Sequence, residues 1–159
     1  MLKEGRILGL ISDTHGLLRE EAVDALRGSD LILHAGDVGG TEILKALRAI
    51  APVLAVRGNV DTGDWAQVLP LTEVIQAGSV TIYMLHILNN LDIDPGVAGM
   101  HIVVSGHSHK PGQAEKGGVT YINPGSAGPK RFQLPVMVAR LDLGAKPWMA
   151  EFVQLEDRS

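Results

Sequence analysis

Cysteine is absent from this chain of 159 residues. No disulfide can form, and no thiolate metal site can be built. A metal ion would have to rest among histidine, aspartate, asparagine and water, an N/O shell that suits manganese, iron, nickel, cobalt or zinc. Excess positive charge is absent too. The 14 Lys and Arg stand against 18 Asp and Glu, for a net charge of −4. Such a surface attracts long nucleic acid poorly, and no basic stripe compensates, which disfavours a nuclease acting on long DNA or RNA. Long apolar runs are also missing. None approaches the ~20 residues of a membrane helix, and Met1-Leu2-Lys3-Glu4-Gly5-Arg6 does not have the pattern of a signal peptide. The expectation is a cytoplasmic protein without membrane contact. Internal repeats, low-complexity tracts and linkers are lacking, so residues 1–159 read as one domain. No serine elbow or Walker loop offers a competing chemistry.

What the chain has is an ordinary apolar fraction, 45%, and an excess of glycine, 19 residues. That is about 12% against a usual ~7%, so many tight turns are expected. The apolar runs are short and evenly placed. Arg6-Ile7-Leu8-Gly9-Leu10-Ile11-Ser12 reads as a central strand ending in Asp13-Thr14-His15-Gly16. Leu18, Ala22, Ala25 and Leu26 then share one helical face, and Gly28 is a natural stop. Asp30-Leu31-Ile32-Leu33 is a second buried strand, ending in His34-Ala35-Gly36-Asp37-Val38. Thr41 is placed to cap a helix whose apolar face is Ile43, Leu44, Leu47 and Ile50, closed by Pro52. Val53-Leu54-Ala55-Val56 is a third strand, ending in Arg57-Gly58-Asn59-Val60-Asp61. Strand, polar strand end and helix thus recur, the pattern of an α/β sheet whose ligands gather beyond the carboxyl ends of its strands.

The second half is richer in strands. Residues 62–70 read as loop. Residues 72–76 and 80–85 flank Ala77-Gly78-Ser79 as a hairpin that delivers His86. Residues 89–100 support at most a short or broken helix, with Asp94-Pro95 able to start one turn. A strand over 101–105 leads into Gly106-His107-Ser108-His109, and one over 119–122 into Asn123-Pro124-Gly125-Ser126. Strands over 135–143 and 148–155 finish the chain. Two mixed sheets face to face with helices outside is the expected architecture.

Gly106-His107-Ser108-His109 carries the sharpest chemical signal. If the chain leaving the strand stays extended, residues two apart point the same way, and both imidazoles aim at one point. Neutral imidazole is the commonest metal ligand. The same two-apart logic applies to Asp13 and His15. Taken singly, each such residue has an ordinary structural use. A strand-end aspartate caps turns, Asn59 beside Gly58 suits a left-handed turn, and His86 after an apolar strand suits the core. Together, Asp13, His15, Asp37, Asn59, His86, His107 and His109 offer more N/O donors than one ion usually takes from protein. They suit two metals roughly 3.5–4 Å apart, acting on a phosphoryl group.

In this order the motifs resemble the calcineurin-like metallophosphoesterases, and their spelling is similar to the small YfcE-like phosphodiesterase branch. The resemblance spans nearly the whole chain. It implies a four-layer α/β/β/α sandwich with the metal site at strand ends. It implies Asp13, His15, Asp37 and His109 around a first metal, and Asp37, Asn59, His86 and His107 around a second, with Asp37 bridging and Asp37 and Asn59 serving catalysis. The implied cofactors are two divalent transition-metal ions, manganese foremost, with nickel, iron, cobalt or zinc as alternatives. The implied reaction is attack by a metal-bridging hydroxide on a phosphodiester of a small phosphorylated substrate. A homodimer or tetramer is a further expectation of the family.

The sequence departs from the family at two positions. Ile87 follows His86 where many relatives have glycine. Val60 follows Asn59 where the protein phosphatases have a histidine able to protonate the leaving group. Two alternatives stay open: a phosphomonoesterase with the same site, and a non-catalytic scaffold like the retromer subunit of this fold. Outside the motifs, His34 is expected to orient Asp37 and His101 to be structural. Arg57 could meet a phosphate or simply be exposed. Asn123 to Ser126 could be turn chemistry or support for the site. Trp65, Tyr83 and Trp148 are expected in the core or an interface.

Overall fold

A computed structural model describes residues 6–131 and 133–155. The reading of Met1 to Gly5 lies outside these residues. The first half alternates as the polarity pattern requires: β1 (Ile7–Ile11), α1 (Glu20–Leu26), β2 (Leu31–His34), α2 (Thr41–Arg48) and β3 (Val53–Ala55). The second half is β4 (Thr72–Ala77), β5 (Val80–Leu85), β6 (Ile102–Val104), β7 (Gly112–Lys116), β8 (Val119–Asn123), β9 (Met137–Asp142) and β10 (Glu151–Gln154). Two five-stranded sheets result, in the orders β10-β9-β1-β2-β3 and β4-β5-β6-β8-β7. Both are mixed. In the first, β1, β2 and β3 are parallel, β9 pairs antiparallel to β1, and β10 pairs antiparallel to β9. In the second, β5, β6 and β8 are parallel, and β4 and β7 are antiparallel edges.

The side-chain period of two sorts the apolar residues into layers. Leu8, Leu10 and Leu33 meet Ile82, Met84, Ile102, Val104 and Ile122 between the sheets. The alternate positions Ile11 and Ile32 face outward and pack with Ala22, Leu26, Leu44 and Leu47 of the helices. On the outer face of the second sheet, Tyr83, Leu85 and Val103 are covered by Leu91, Ile93 and Met100. The expected four-layer α/β/β/α sandwich is therefore present, with its fourth layer reduced. Residues 88–100 cover that face with a 3₁₀ turn at Leu88–Asn90 and a single turn in which the Val97 and Ala98 N–H groups donate to Asp94. Pro95, Gly96 and Gly99 explain why no longer helix forms there.

Several local expectations change. Thr41 is the first residue of α2 rather than its cap, since Gly40 precedes the helix and no side chain caps it. Residues 62–70 are not all loop, because Asp64–Val68 forms a 3₁₀ helix that brings Trp65 onto the helical layer. The last two strands are shorter than their apolar runs. β7 appears where no strand is expected; it pairs with β8 across Gly117 and Gly118. The carboxyl ends of β1, β2 and β3 carry the motif loops at one rim of the sandwich. The loops after β5, β6 and β8 meet them there, as the contacts below show.

Candidate metal centre

The loop after β1 runs alongside the loop after β2. Asp13 N–H donates to Gly36 O, His15 N–H to Asp37 O and Gly16 N–H to Val38 O, each at 2.9 Å. Pairing therefore continues past the strands, but the backbone is not extended. Asp13, His15, Asp37, His107 and His109 all have φ between +48° and +71°. Non-glycine residues rarely adopt this left-handed region, and such strain gathers at functional sites. The extended-chain reading is thereby corrected. His107 and His109 do not aim at one point. Each turns toward a different group of ligands, because a left-handed residue redirects its side chain out of the strand's alternation.

Two clusters result. The donor atoms of Asp13, His15 and His109 lie within 4.8 Å of one another, and so do those of Asp37, His86 and His107. The clusters adjoin. Asp37 Oδ2 is 3.1 Å from His86 Nε2 and 3.8 Å from His15 Nε2. Asp13 Oδ1 is 3.3 Å from His109 Nε2, 3.7 Å from His15 Nε2 and 3.8 Å from His86 Nε2. Asn59, at the exposed rim, places its Oδ1 3.2 Å from His107 Nδ1. All seven expected residues are therefore gathered at one place.

Each buried carboxylate is half committed. Asp13 Oδ2 accepts from Ser12 Oγ–H at 2.6 Å and from His107 N–H at 3.1 Å, while Oδ1 has no hydrogen-bond partner. Asp37 Oδ1 accepts from Val60 N–H at 3.0 Å, leaving Oδ2 toward the histidines. His86 Nδ1 lies 2.7 Å from Ala35 O. A carbonyl only accepts, so Nδ1 carries the proton and Nε2 keeps its lone pair, the arrangement found in metal-ligating histidines. His86 Nε2 and His15 Nε2 are buried without hydrogen-bond partners. The 3.1 Å approach of His86 to Asp37 lacks hydrogen-bond alignment. Three buried orphan atoms converging on shared space, from N and O donors alone, fit a cation better than any alternative filling.

The electrostatics agree. Burial pushes the Asp13 carboxyl above its ordinary range, against the pull of Ser12, His86, His109 and the His107 N–H. Burial also pushes Asp37 up, but nearby His86, the Val60 N–H and His15 outweigh it and hold the group below its usual value. Burial pushes His86 down, yet Asp37, Asp13 and the Ala35 carbonyl draw it above the ordinary imidazole range. The site thus pulls positive charge inward, and a divalent cation answers the same pull. His109 is shifted down, chiefly by burial.

The supporting residues are partly unexpected. His34 does not touch the Asp37 carboxylate. Its Nδ1 accepts from Gly36 N–H at 3.1 Å, so its Nε2–H donates to Thr14 Oγ1 at 3.0 Å, and Thr14 donates to Val38 O at 2.7 Å. It ties the first two loops together as a neutral, fully buried ring, with burial depressing its pKa to about 3. Asp61 holds a place that its sequence position does not reveal. Its buried carboxylate accepts from the N–H groups of Val38 at 3.1 Å, Gly39 at 3.1 Å and Gly58 at 2.9 Å. It binds the Asp37 loop to the Asn59 loop. Asn123 donates to Gly106 O and Ser108 Oγ, and Ser126 Oγ–H donates to Asp13 O. The Asn-Pro-Gly-Ser turn therefore supports the site. A Cβ at Gly58 would fall on the backbone and carboxylate of Asp37, and one at Gly106 on the side chains of Ser12 and Asp13.

The remaining expectations divide. Ile87 has φ −108° and ψ 110°, open to any residue, so its replacement of glycine leaves the backbone unobstructed. Arg57 Nη1 donates to Gln67 Oε1 at 3.1 Å. His101 accepts from Thr81 N–H at 2.9 Å, a structural use. Tyr83 is buried, and Trp148 packs at the edge of the inter-sheet core.

A sandwich of two mixed sheets with paired carboxylate–imidazole clusters at their common rim defines a class of α/β metalloproteins. The chain belongs to the calcineurin-like phosphoesterase superfamily, whose domain model matches residues 7–146. It is 33% identical over 152 residues to a probable metallophosphoesterase of Methanothermobacter thermautotrophicus, covering 86% of each chain. Among solved structures, a novel archaeal phosphodiesterase superposes with a TM-score of 0.78 at 19% identity, over 92% of this chain and 99% of that one. Vps29 of Chaetomium thermophilum superposes with a TM-score of 0.76 at 20% identity, over 94% and 97%. The phosphoesterase YfcE of E. coli gives 0.68 at 24% identity, over 86% and 88%. These three likenesses establish the fold. Among the described residues, no helix is long and apolar enough to cross a membrane.

Proposed function

We propose that this chain hydrolyses phosphoric esters with two divalent metal ions, and that small phosphodiesters are its substrates. The observation that carries the reading is the convergence of buried, unpartnered Asp13 Oδ1, His15 Nε2 and His86 Nε2 between two adjoining ligand clusters. Asp13, His15, Asp37 and His109 would hold one ion, and Asp37, Asn59, His86 and His107 the other. Asp37 would be the shared ligand; its Oδ2 lies 3.1 Å from His86 Nε2 and 3.8 Å from His15 Nε2, one histidine of each cluster. Manganese is the first choice for this N/O set, with nickel, iron, cobalt and zinc as alternatives. Two such ions held there would supply positive charge against the phosphoryl oxygens and a water acidic enough to attack at neutral pH.

The protein's own groups do the rest. Ser12 and the His107 N–H hold one Asp13 oxygen, and the Val60 N–H holds one Asp37 oxygen, so neither carboxylate can rotate away. Ala35 fixes the His86 tautomer. Asn59 presents an amide at the open side of the second cluster. Its Oδ1 would serve as a ligand, and its Nδ2–H would donate to a substrate oxygen. No proton donor follows it, because Val60 is apolar and half exposed. Esters whose leaving groups depart without protonation should therefore react fastest. A scaffold would not need seven donor side chains kept together in this way.

The test is hydrolysis by chelator-stripped protein, with manganese, nickel, cobalt, zinc or magnesium restored singly, on an aryl phosphodiester and the matching monoester. Metal-dependent turnover favouring the diester is expected. A preference for the monoester would retain the metal site and overturn the substrate class. Two ions bound without turnover of either ester would favour the scaffold.

A further inference from the structure

Two open clefts lie beside the second ligand cluster. The first, of about 460 Å³, is lined by His107, Leu88, Lys110, Tyr121 and Asn123. The second, of about 370 Å³, is lined by Asn59, His86, Arg57, Leu71 and Asn90. Each is large enough for an organic group of ligand size. Ile87 lines both clefts. His107 from the first cleft and Asn59 from the second touch at 3.2 Å. The candidate second metal position is thus where the two clefts come together.

We propose that Ile87 is a specificity-determining residue that divides the approach to the Asp37–His86–His107 cluster into two clefts, one for each ester arm of a two-armed phosphodiester. This inference rests on the phosphoesterase reading above and deepens it. A phosphorus centred at the junction sends one substituent along Leu88 and Tyr121. The other runs along Leu71 and Arg57. A monoester has one arm and leaves one cleft filled with water. The branched Ile87 side chain offers one face to each arm, a contact that a glycine at this position cannot make. The clefts also differ in character. The first is lined by the aromatic ring of Tyr121 together with Lys110, and suits a flat arm. The second combines Leu71 with the amide of Asn90 and the guanidinium of Arg57, and suits an arm carrying hydroxyl or carbonyl oxygens.

The experiment compares kcat/KM for a bis-aryl phosphodiester and for the aryl monoester with the same leaving group, using the metal-loaded full chain. Replacing Ile87 by Val, Ala and Gly should lower the diester-to-monoester ratio stepwise, by about 10-fold at glycine, because the diester loses contact with both arms and the monoester with one. Tyr121→Ala and Leu71→Ala should separate the arms. One lowers turnover of both esters together, marking the cleft of the leaving group. The other lowers the ratio by roughly 10-fold, marking the cleft of the retained arm. A second readout needs no turnover. With zinc-loaded protein, diphenyl phosphate should shift NMR signals from both clefts, and phenyl phosphate signals from one. A ratio unchanged across the Ile87 series, or identical shifts for the two phosphates, would overturn the division while leaving the phosphoesterase reading intact. Absence of metal-dependent turnover with both esters would overturn both.

Discussion

Replacing Asp61 is expected to loosen the metal centre without removing a ligand. The carboxylate is 4% exposed. It accepts three backbone N–H groups, from Val38, Gly39 and Gly58. In Asp61→Ala, water can reach Gly39, which is exposed, but Val38 and Gly58 are buried. Two buried donors then lose a charged acceptor, at about 1–3 kcal/mol each. The whole change should cost roughly 3–5 kcal/mol and lower Tm by roughly 10 °C for a chain of this size. Asp61→Asn is more informative. Val38 and Gly58 both donate to Oδ2, so an amide carbonyl placed there keeps both bonds. The amide nitrogen then faces only the hydrated Gly39 N–H, and the cost falls to about 1–2 kcal/mol. Because the same bonds hold Asp37 against Asn59, metal affinity should fall in the same order, by about 10–100-fold for alanine. Urea unfolding in chelator gives the stability without metal linkage, and competition with a chromophoric chelator gives the affinity. If Asp61→Ala unfolded within about 0.5 kcal/mol of the parent and bound metal equally well, the argument from satisfied N–H groups would be wrong.

Three further outcomes follow from the structure. If two ions share Asp37 as proposed, Asp37→Ala should lose both together rather than one, which elemental analysis after gel filtration would show; retention of one full equivalent would refute the shared ligand. His34 folds neutral, with its pKa depressed to about 3 from 6.5. Below about pH 6.5 the unfolded chain takes up this proton and the native chain does not, so stability falls by up to about 1.4 kcal/mol per pH unit as pH drops toward 4. Urea unfolding in chelator should show a shallower slope for His34→Gln over that range. Leu33→Ala, at a fully buried position between the sheets, should cost about 3–5 kcal/mol by denaturant titration.

The strands buried on both faces were the easiest to read. The runs at 7–11, 31–33 and 102–104 announce themselves because every position is apolar or small. β7 was illegible for the opposite reason. All five of its residues are exposed, so no apolar alternation marks it, and it exists by pairing with β8. The seven ligand-type residues stood out because their kinds recur at strand ends. The way they converge did not, since a left-handed φ at an aspartate or histidine leaves no mark on composition or period. The roles of Asp61 and of Asn123, the latter open between turn and support, were hidden similarly. Their partners are backbone N–H and carbonyl groups, which every residue carries and no sequence pattern singles out.

The left-handed ligands bear on whether this centre could be moved elsewhere. Five of the seven side chains reach the site because their own backbone turns against its usual preference. Copying the seven residue types onto a different sandwich would deliver the donors with the wrong aim. A successful transplant would have to carry the paired loops, the glycines that let them touch and the Asp61 clasp as one block. For a designer, the unit of inheritance is therefore the rim of the fold rather than its list of ligands.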